Sequence, residues 1–262
     1  MEQHHKESID NLIAVLQQDP KNLALILSGS LAKGNCRPDS DIDVYIVVTD
    51  EDFESRRKSN DTCYSNREVC VYPGGYIDGK IVNLDFIQKA ALQGSEPARA
   101  SFQGSSVLWS RIDGLDEIVA RIAVYDEERR LYKMDSFFAQ VQLWGGYFYL
   151  EGIRNQNVYL MQRSITELVF YASRYILAKN RILFPCHKTM KEFLAFAPDK
   201  PEGYLQAVEQ LLETREMEQA SDFMELFNDY ADCELSLVQC VARFIEDSEW
   251  NWLNSPPPLP DC

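Results

Sequence analysis

Residues 27–44 decide the fold and read Leu-Ser-Gly-Ser-Leu-Ala-Lys-Gly-Asn-Cys-Arg-Pro-Asp-Ser-Asp-Ile-Asp-Val. The apolar run Leu23–Leu27 predicts a buried strand, and Gly29 directly after it predicts a tight turn. Gly34 allows the chain to double back before a second β-rich run, Ile42–Val48. The segment therefore predicts two strands joined by a short, sharply turning connection.

The second strand opens with two carboxylates. Asp41 and Asp43 alternate around Ile42, so they project from the same face of the strand. Close carboxylates repel and raise each other's pKa unless a cation neutralises them, and hard oxygen ligands suit Mg²⁺. The alternative is a strand that merely begins with two exposed aspartates. Gly29-Ser30 favours a binding function, because its backbone N–H groups and hydroxyl can point at an anion.

The segment resembles the nucleotidyltransferase superfamily of the polymerase-beta type, in which Gly-Ser is followed by a loop and then by Asp-hydrophobic-Asp-hydrophobic. Here Gly29-Ser30 precedes Asp41-Ile42-Asp43-Val44, with Asp41 eleven positions after Ser30. Residues 37–43 are especially similar to antibiotic nucleotidyltransferases that act on aminoglycosides or lincosamides. The resemblance implies in-line attack of an acceptor hydroxyl on the α-phosphorus of ATP or another NTP, with Asp41 and Asp43 binding Mg²⁺.

The resemblance also requires a third carboxylate on a neighbouring strand. Residues 69–72 and 80–87 flank a Gly-containing turn and predict a hairpin, with Asp85 amid apolar residues of its second strand. An unpaired carboxylate buried there would cost several kcal/mol, so Asp85 should have a cation or a donor as partner. A salt bridge or an exposed edge position is the alternative, and Asp78 and Glu68 are weaker candidates. By resemblance, Asp85 completes the metal site and helps to deprotonate the acceptor hydroxyl.

The triphosphate needs further partners. By resemblance, Gly29 and Ser30 bind the outgoing phosphates, and a lysine and an arginine of a second domain assist them. Lys188 and Arg174 are the candidates, and an ordinary surface role is the alternative for each.

Strand signals end near residue 113, and amphipathic helices follow at about 116–131, 134–154, 156–179, 189–197, 203–214 and 218–249. We therefore expect an α/β (α+β) nucleotidyltransferase domain with a mixed sheet over 1–115. An all-α helical bundle domain over 116–254 and a Pro-rich tail over 255–262 complete the prediction. The aromatics of the second half fall on helical spacing, which indicates the core of the bundle.

The composition of the chain limits the binding partners and the cellular compartment that we expect. The net charge of −15 disfavours extended nucleic acid and fits a cationic small acceptor. The resemblance implies a nucleoside triphosphate and a small hydroxylated acceptor as partners. The N-terminus lacks a signal-peptide core, and no apolar run reaches the roughly 18 residues that a membrane span needs. Seven cysteines without a Cys-x-x-Cys pair suit reduced thiols in the cytoplasm.

Two other functions remain open. The chain could modify a protein or an RNA end, as toxin–antitoxin nucleotidyltransferases do, although acidity and the absence of a basic patch weigh against RNA. It could also be a catalytically inactive nucleotide-binding module. Such modules usually lose a carboxylate, whereas Asp41 and Asp43 are both present.

Overall fold

The computed structural model describes residues 1–259 and divides the chain into two compact units. The first unit is Met1–Val124, and the second begins at Tyr125. Residues 260–262, the end of the predicted Pro-rich tail, lie outside the described residues. Within residues 1–259, no helix combines the length and the apolar character that crossing a membrane requires.

The first unit is built on a five-stranded sheet. Its strands are β1 Asn22–Leu27, β2 Ile42–Val48, β3 Cys63–Asn66, β4 Ile77–Val82 and β5 Ser106–Ser110. They lie in the order β3-β4-β2-β1-β5. β2 and β4 are parallel, whereas the other neighbouring pairs are antiparallel. The predicted mixed sheet is confirmed.

Helices cover both faces of this sheet. They are α1 Gln3–Leu16, α2 Gly29–Lys33, α3 Asp50–Ser59, α4 Leu84–Gln93, α5 Glu96–Ser101 and α6 Leu115–Ile122. Val44 and Ile46 of β2 pack in the core that contains α1, whereas Tyr45 and Val47 pack with α4, α5 and α6. Because both faces are covered, β2 is apolar along most of its length. The same alternation places Asp43 on the side of Tyr45.

The predicted hairpin is wrong in both of its strands. β4 ends at Val82, and its antiparallel partner is β3 rather than residues 69–72. Residues 84–93 form α4, because the Asn83 side chain accepts a hydrogen bond from the Phe86 amide at 2.9 Å and caps the helix. The cap residue, and not a continuing strand, sets the structure around Asp85.

The second unit consists of helices. They are α7 Arg130–Leu143, α8 Tyr149–Arg154, α9 Val158–Lys179, α10 Met190–Phe196, α11 Tyr204–Thr214, α12 Met217–Tyr230 and α13 Leu237–Phe244. A π-helical turn, Trp144–Phe148, joins α7 to α8, and a second one, Ile245–Glu249, follows α13. The predicted all-α character of this half is confirmed.

Aromatic side chains fill the core of the helical unit. Tyr175, Phe223 and Phe227 are fully buried, and the Tyr175 and Phe227 rings meet edge to face at 5.3 Å. Tyr147 is an exception to the predicted core, because it is 54% exposed. α6, which the sequence assigned to the helical half, packs in the first unit through Leu115 and other apolar residues.

Candidate metal centre

Two of the predicted site residues lie at the amino end of β2. Asp41 directly precedes the strand, and Asp43 is its second residue. Ile42 between them is fully buried in the apolar core, so the two aspartates project away from that core. Both are half-buried. The expected same-face placement is what the structure shows.

The third carboxylate beside this pair belongs to Asp78. β2 and β4 run parallel in a register that places Asp43 beside Asp78. One carboxylate oxygen from each of Asp41, Asp43 and Asp78 lies within 4.8 Å of the others. We call these three residues the carboxylate cluster. Its all-oxygen donor set and its spacing fit a hard divalent cation such as Mg²⁺.

Gly29 lies against Asp43, and only glycine fits there. A β-carbon at residue 29 would stand 1.8 Å from Asp43 Oδ2, and the φ angle of Gly29 is +68°. The Ser28 amide also donates to the carbonyl oxygen of Asp43 at 2.9 Å. Ser30 follows in α2 and is half-buried. The Gly-Ser segment is thus held in direct contact with the start of β2.

The cluster is electrostatically strained. Burial raises the pKa of Asp43, and the neighbouring charges of Asp41 and Asp78 raise it further. Lys80 and Lys33 oppose this shift. A carboxylate that is partly removed from water among other carboxylates gains most from a bound cation, so the electrostatics favour metal binding.

A tyrosine orients Asp41. The Tyr76 hydroxyl donates to Asp41 Oδ2 at 2.8 Å, and this hydrogen bond raises the pKa of Tyr76. The guanidinium of Arg67 lies 5.1 Å from the centre of the Tyr76 ring. The Tyr76 carbonyl in turn accepts from the Ile42 amide at 3.1 Å. One residue therefore fixes both the side chain of Asp41 and the backbone next to it.

The predicted strand position of Asp85 is wrong. Asp85 lies in the first turn of α4, its side chain is 55% exposed, and it accepts a hydrogen bond from Lys89 Nζ at 2.7 Å. The apolar residues around it belong to an amphipathic helix. Asp85 is therefore one arm of an exposed ion pair, the alternative that its sequence left open. Glu68 lies in an exposed turn and is likewise outside the carboxylate cluster.

The two predicted cations of the helical unit differ in their surroundings. Arg174 lies on α9, with its guanidinium 4.5 Å from the Phe184 ring and 4.6 Å from the Phe137 ring. Lys188 is exposed in the segment that precedes α10. Their binding to phosphates stays a prediction.

Tyr76 was missed, and Asp78 was ranked below Asp85, because Gly74, Gly75 and Gly79 suggested one long turn. The alternation of Ile77, Gly79 and Ile81, all buried, was the available signal for a strand. In that pattern Asp78 and Lys80 face the opposite side, as Asp43 and Tyr45 do on β2.

The sequence matches the family model described as polymerase beta, nucleotidyltransferase, over residues 10–69. That stretch contains Gly29, Asp41 and Asp43, so the resemblance carried by those residues is confirmed. Residues 10–69 of the first unit are therefore similar to nucleotidyltransferases of the polymerase beta class. A search of curated sequences gives no match.

Two solved structures are similar to the chain. One is a nucleotidyltransferase-like protein from Exiguobacterium sibiricum, with 11% identity, a TM-score of 0.47, and coverage of 95% of this chain and 79% of the other. The second is the spectinomycin adenyltransferase AAD(9) from Enterococcus faecialis, solved with ATP and spectinomycin. Its identity is 15% and its TM-score is 0.32, with coverage of 91% of this chain and 97% of the other.

Proposed function

We propose that the protein is a Mg²⁺-dependent nucleotidyltransferase that moves a nucleoside monophosphate, AMP from ATP in the first instance, onto a hydroxyl of a small molecule. The observation that carries this proposal is the carboxylate cluster, whose oxygens lie within 4.8 Å of one another. The contact of Gly29 with Asp43 supports it, because the Gly-Ser segment of the nucleotidyltransferase motif then adjoins the metal ligands.

Asp41, Asp43 and Asp78 would hold the cation. When bound, Mg²⁺ neutralises phosphate charge and stabilises the attacking and leaving oxygens. The hydrogen bond from the Tyr76 hydroxyl fixes the orientation of the Asp41 carboxylate for this role. Asp43 would be held in its charged form by a bound cation, which would offset the burial that raises its pKa.

Asp78 suits the role of general base. It is the exposed member of the cluster, so a hydroxyl arriving from solvent can reach it. The acceptor oxygen bonds to the α-phosphorus, the bond from that phosphorus to the β-phosphate oxygen breaks, and the hydroxyl proton passes to Asp78. Pyrophosphate leaves with the electron pair of the broken bond.

Lysines of the first unit supply positive charge near the cluster. Lys80 and Lys33 both lower the pKa of Asp43, and the Lys80 ammonium lies 5.2 Å from the centre of the Tyr45 ring. We infer that they assist Gly29 and Ser30 in binding phosphates. Lys188 and Arg174 stay proposed as further phosphate ligands.

For the acceptor we propose an aminoglycoside- or lincosamide-like antibiotic, on the similarity of residues 37–43 to antibiotic nucleotidyltransferases. A net charge of −15 favours a cationic acceptor over RNA. The cysteines within residues 1–259 are free thiols, which suits the cytoplasm, where such antibiotics act on the cell.

The test measures pyrophosphate released from each of the four NTPs in the presence of Mg²⁺. Aminoglycosides, lincosamides and a cell extract are screened as sources of the acceptor. We expect release that depends on both Mg²⁺ and an acceptor, and a product heavier by one nucleotide in mass spectrometry. Asp43→Asn is the matched control, because it keeps the shape of the side chain and removes the charge. Product formation by Asp43→Asn at the wild-type rate would overturn the proposal. Nucleotide recovered on protein or RNA would overturn the small-molecule acceptor and identify a macromolecule as the acceptor instead.

A further inference from the structure

Three aromatic rings gather beside the segment that leads into Asp41. His4 and His5 of α1 lie with ring centroids 4.2 Å apart, and the Tyr72 ring lies 4.6 Å from His4 and 5.0 Å from His5. Ser8, also on α1, accepts a hydrogen bond from the Val71 amide at 3.1 Å. α1 is thereby joined to the chain around Tyr72. We call His4, His5 and Tyr72 the ring cluster.

The ring cluster binds the backbone just before Asp41. The Tyr72 hydroxyl donates to the Ser40 carbonyl at 2.7 Å, and His4 Nε2 lies 2.9 Å from the Pro38 carbonyl. A carbonyl oxygen can only accept, so His4 carries its hydrogen on Nε2. Ser40 itself is buried, and its hydroxyl accepts from the Arg37 amide at 2.9 Å. Two side chains from distant parts of the sequence thus fix residues 37–41.

Within the ring cluster, His5 is a neutral imidazole. It is fully buried, and its Nδ1 accepts from the Glu2 amide at 3.2 Å. A proton on Nδ1 would break that hydrogen bond. Burial lowers the pKa of His5 most, and His4 and the N-terminal amine lower it further. The Ser40 carbonyl and Glu2 raise this pKa but do not outweigh the lowering. From the other packed segment it faces the ring of Tyr72, whose own pKa is raised by burial and then by Cys70, Asp41 and Tyr76.

We propose that His4, His5 and Tyr72 are positioning residues, which hold residues 37–41 so that Asp41 is presented to the cation. The cluster acts only through the backbone of Ser40 and Pro38. Its effect on cation affinity rests on the proposed function, whereas its effect on the mobility of residues 37–41 does not.

Tyr72→Phe tests the hydrogen bond alone, because it removes the hydroxyl and keeps the ring. We expect the amides of residues 37–42 to exchange hydrogen about tenfold faster, and Mn²⁺ affinity to fall about tenfold, the lower range for losing a group that orients a metal ligand. Tyr149→Phe is the matched control. It removes the same bond, a tyrosine hydroxyl to the Arg215 carbonyl at 2.7 Å, in the helical unit, and should leave both readouts unchanged.

His4 supplies a test by rescue. His4→Ala removes the donor to Pro38 and should reproduce the faster exchange, whereas His4→Gln retains an N–H donor and should restore part of the protection.

Unchanged exchange in Tyr72→Phe would overturn the positioning role. Faster exchange with wild-type Mn²⁺ affinity would overturn it as well, since the segment would then be held without consequence for Asp41. A wild-type protein without saturable Mn²⁺ binding would instead overturn the proposed function, and the exchange rates would still decide whether the ring cluster holds the segment.

Discussion

Acidic side chains gather at both ends of the parallel pair β2 and β4, and their neighbours differ in charge. At the amino ends stands the carboxylate cluster, in which burial and like charges raise the pKa of Asp43. At the carboxyl ends Asp52 accepts from Arg56 Nε at 2.6 Å, and this hydrogen bond lowers its pKa. Asp85 is paired with Lys89 there. The same side-chain chemistry stabilises the fold at one end and strains it at the other.

The comparison shows how to recognise the functional end. Acidic side chains at helix starts that are paired with cations stabilise the fold, and this structural role accounts for them. Acids crowded together with a raised pKa cost stability, and they are the arrangement expected where a ligand supplies the missing charge.

The largest effect should come from exchanging the third carboxylate. Asp78→Asn should lower turnover by about 10²–10⁴-fold, because it removes the proposed general base. Asp85→Asn should leave turnover within about twofold, since it breaks only an exposed ion pair worth at most about 1 kcal/mol. Steady-state rates of the two variants decide between them. Loss of turnover in Asp85→Asn with retention in Asp78→Asn would reverse the assignment.

Substitutions at two glycines distinguish the effect of backbone strain from the effect of contact with Asp43. Gly29→Ala and Gly34→Ala both place a β-carbon at positive φ, so backbone strain should cost each at least about 1 kcal/mol of stability, and Gly29→Ala should cost more because of its clash with Asp43. Only at Gly29 would that β-carbon meet Asp43, because nothing lies within 4 Å of the corresponding position at Gly34. Cation affinity should therefore fall at least about tenfold in Gly29→Ala alone.

Thermal melts and Mn²⁺ titrations of the two glycine variants provide the readouts. Equal cation affinities would show that the contact between Gly29 and Asp43 does not matter for binding.

The smallest effects concern stability and have opposite signs. Because the pKa of Asp43 is raised, its charge destabilises the fold above the folded-state pKa, and the penalty disappears as pH falls below the unfolded value. Asp43→Asn should therefore raise Tm at pH 7 without divalent cations, and the gain should vanish in acid.

The opposite sign is expected at the carboxyl end. Asp52 has a lowered pKa, so its contribution is present above the unfolded value and is lost as pH falls through the folded value. Asp52→Asn should lower stability at pH 7 by about 1 kcal/mol. Melting curves of both variants across pH provide the measurement, and shifts of the same sign would contradict the contrast between the two ends.

Much of the first unit could be predicted from short patterns. The apolar run before Gly29 and the alternation of Asp41, Ile42 and Asp43 specify a strand and a same-face pair of carboxylates, and the structure has both. Local geometry decides these features, so the sequence carries them. The tight turn predicted at Gly29 is instead the start of the short helix α2.

Asp78 could not be chosen in the same way. Its place beside Asp43 depends on the parallel pairing of strands separated by α3 and β3 in the chain. Asp85 seemed better because apolar neighbours suggested a strand, but the Asn83 side chain accepts a hydrogen bond from the Phe86 amide and caps a helix there. The ring cluster could not be predicted either, since Tyr72 lies far from His4 and His5 in the sequence.

The carboxylate cluster is tested most directly by Mn²⁺ binding followed by electron paramagnetic resonance, with Mg²⁺ as competitor. We expect saturable binding to the wild type that Mg²⁺ displaces. Asp41→Asn, Asp43→Asn and Asp78→Asn should each weaken binding by at least about 100-fold, and Asp85→Asn should bind as the wild type does. Absence of saturable binding to the wild type, or wild-type affinity in Asp78→Asn, would contradict the carboxylate cluster as the metal centre.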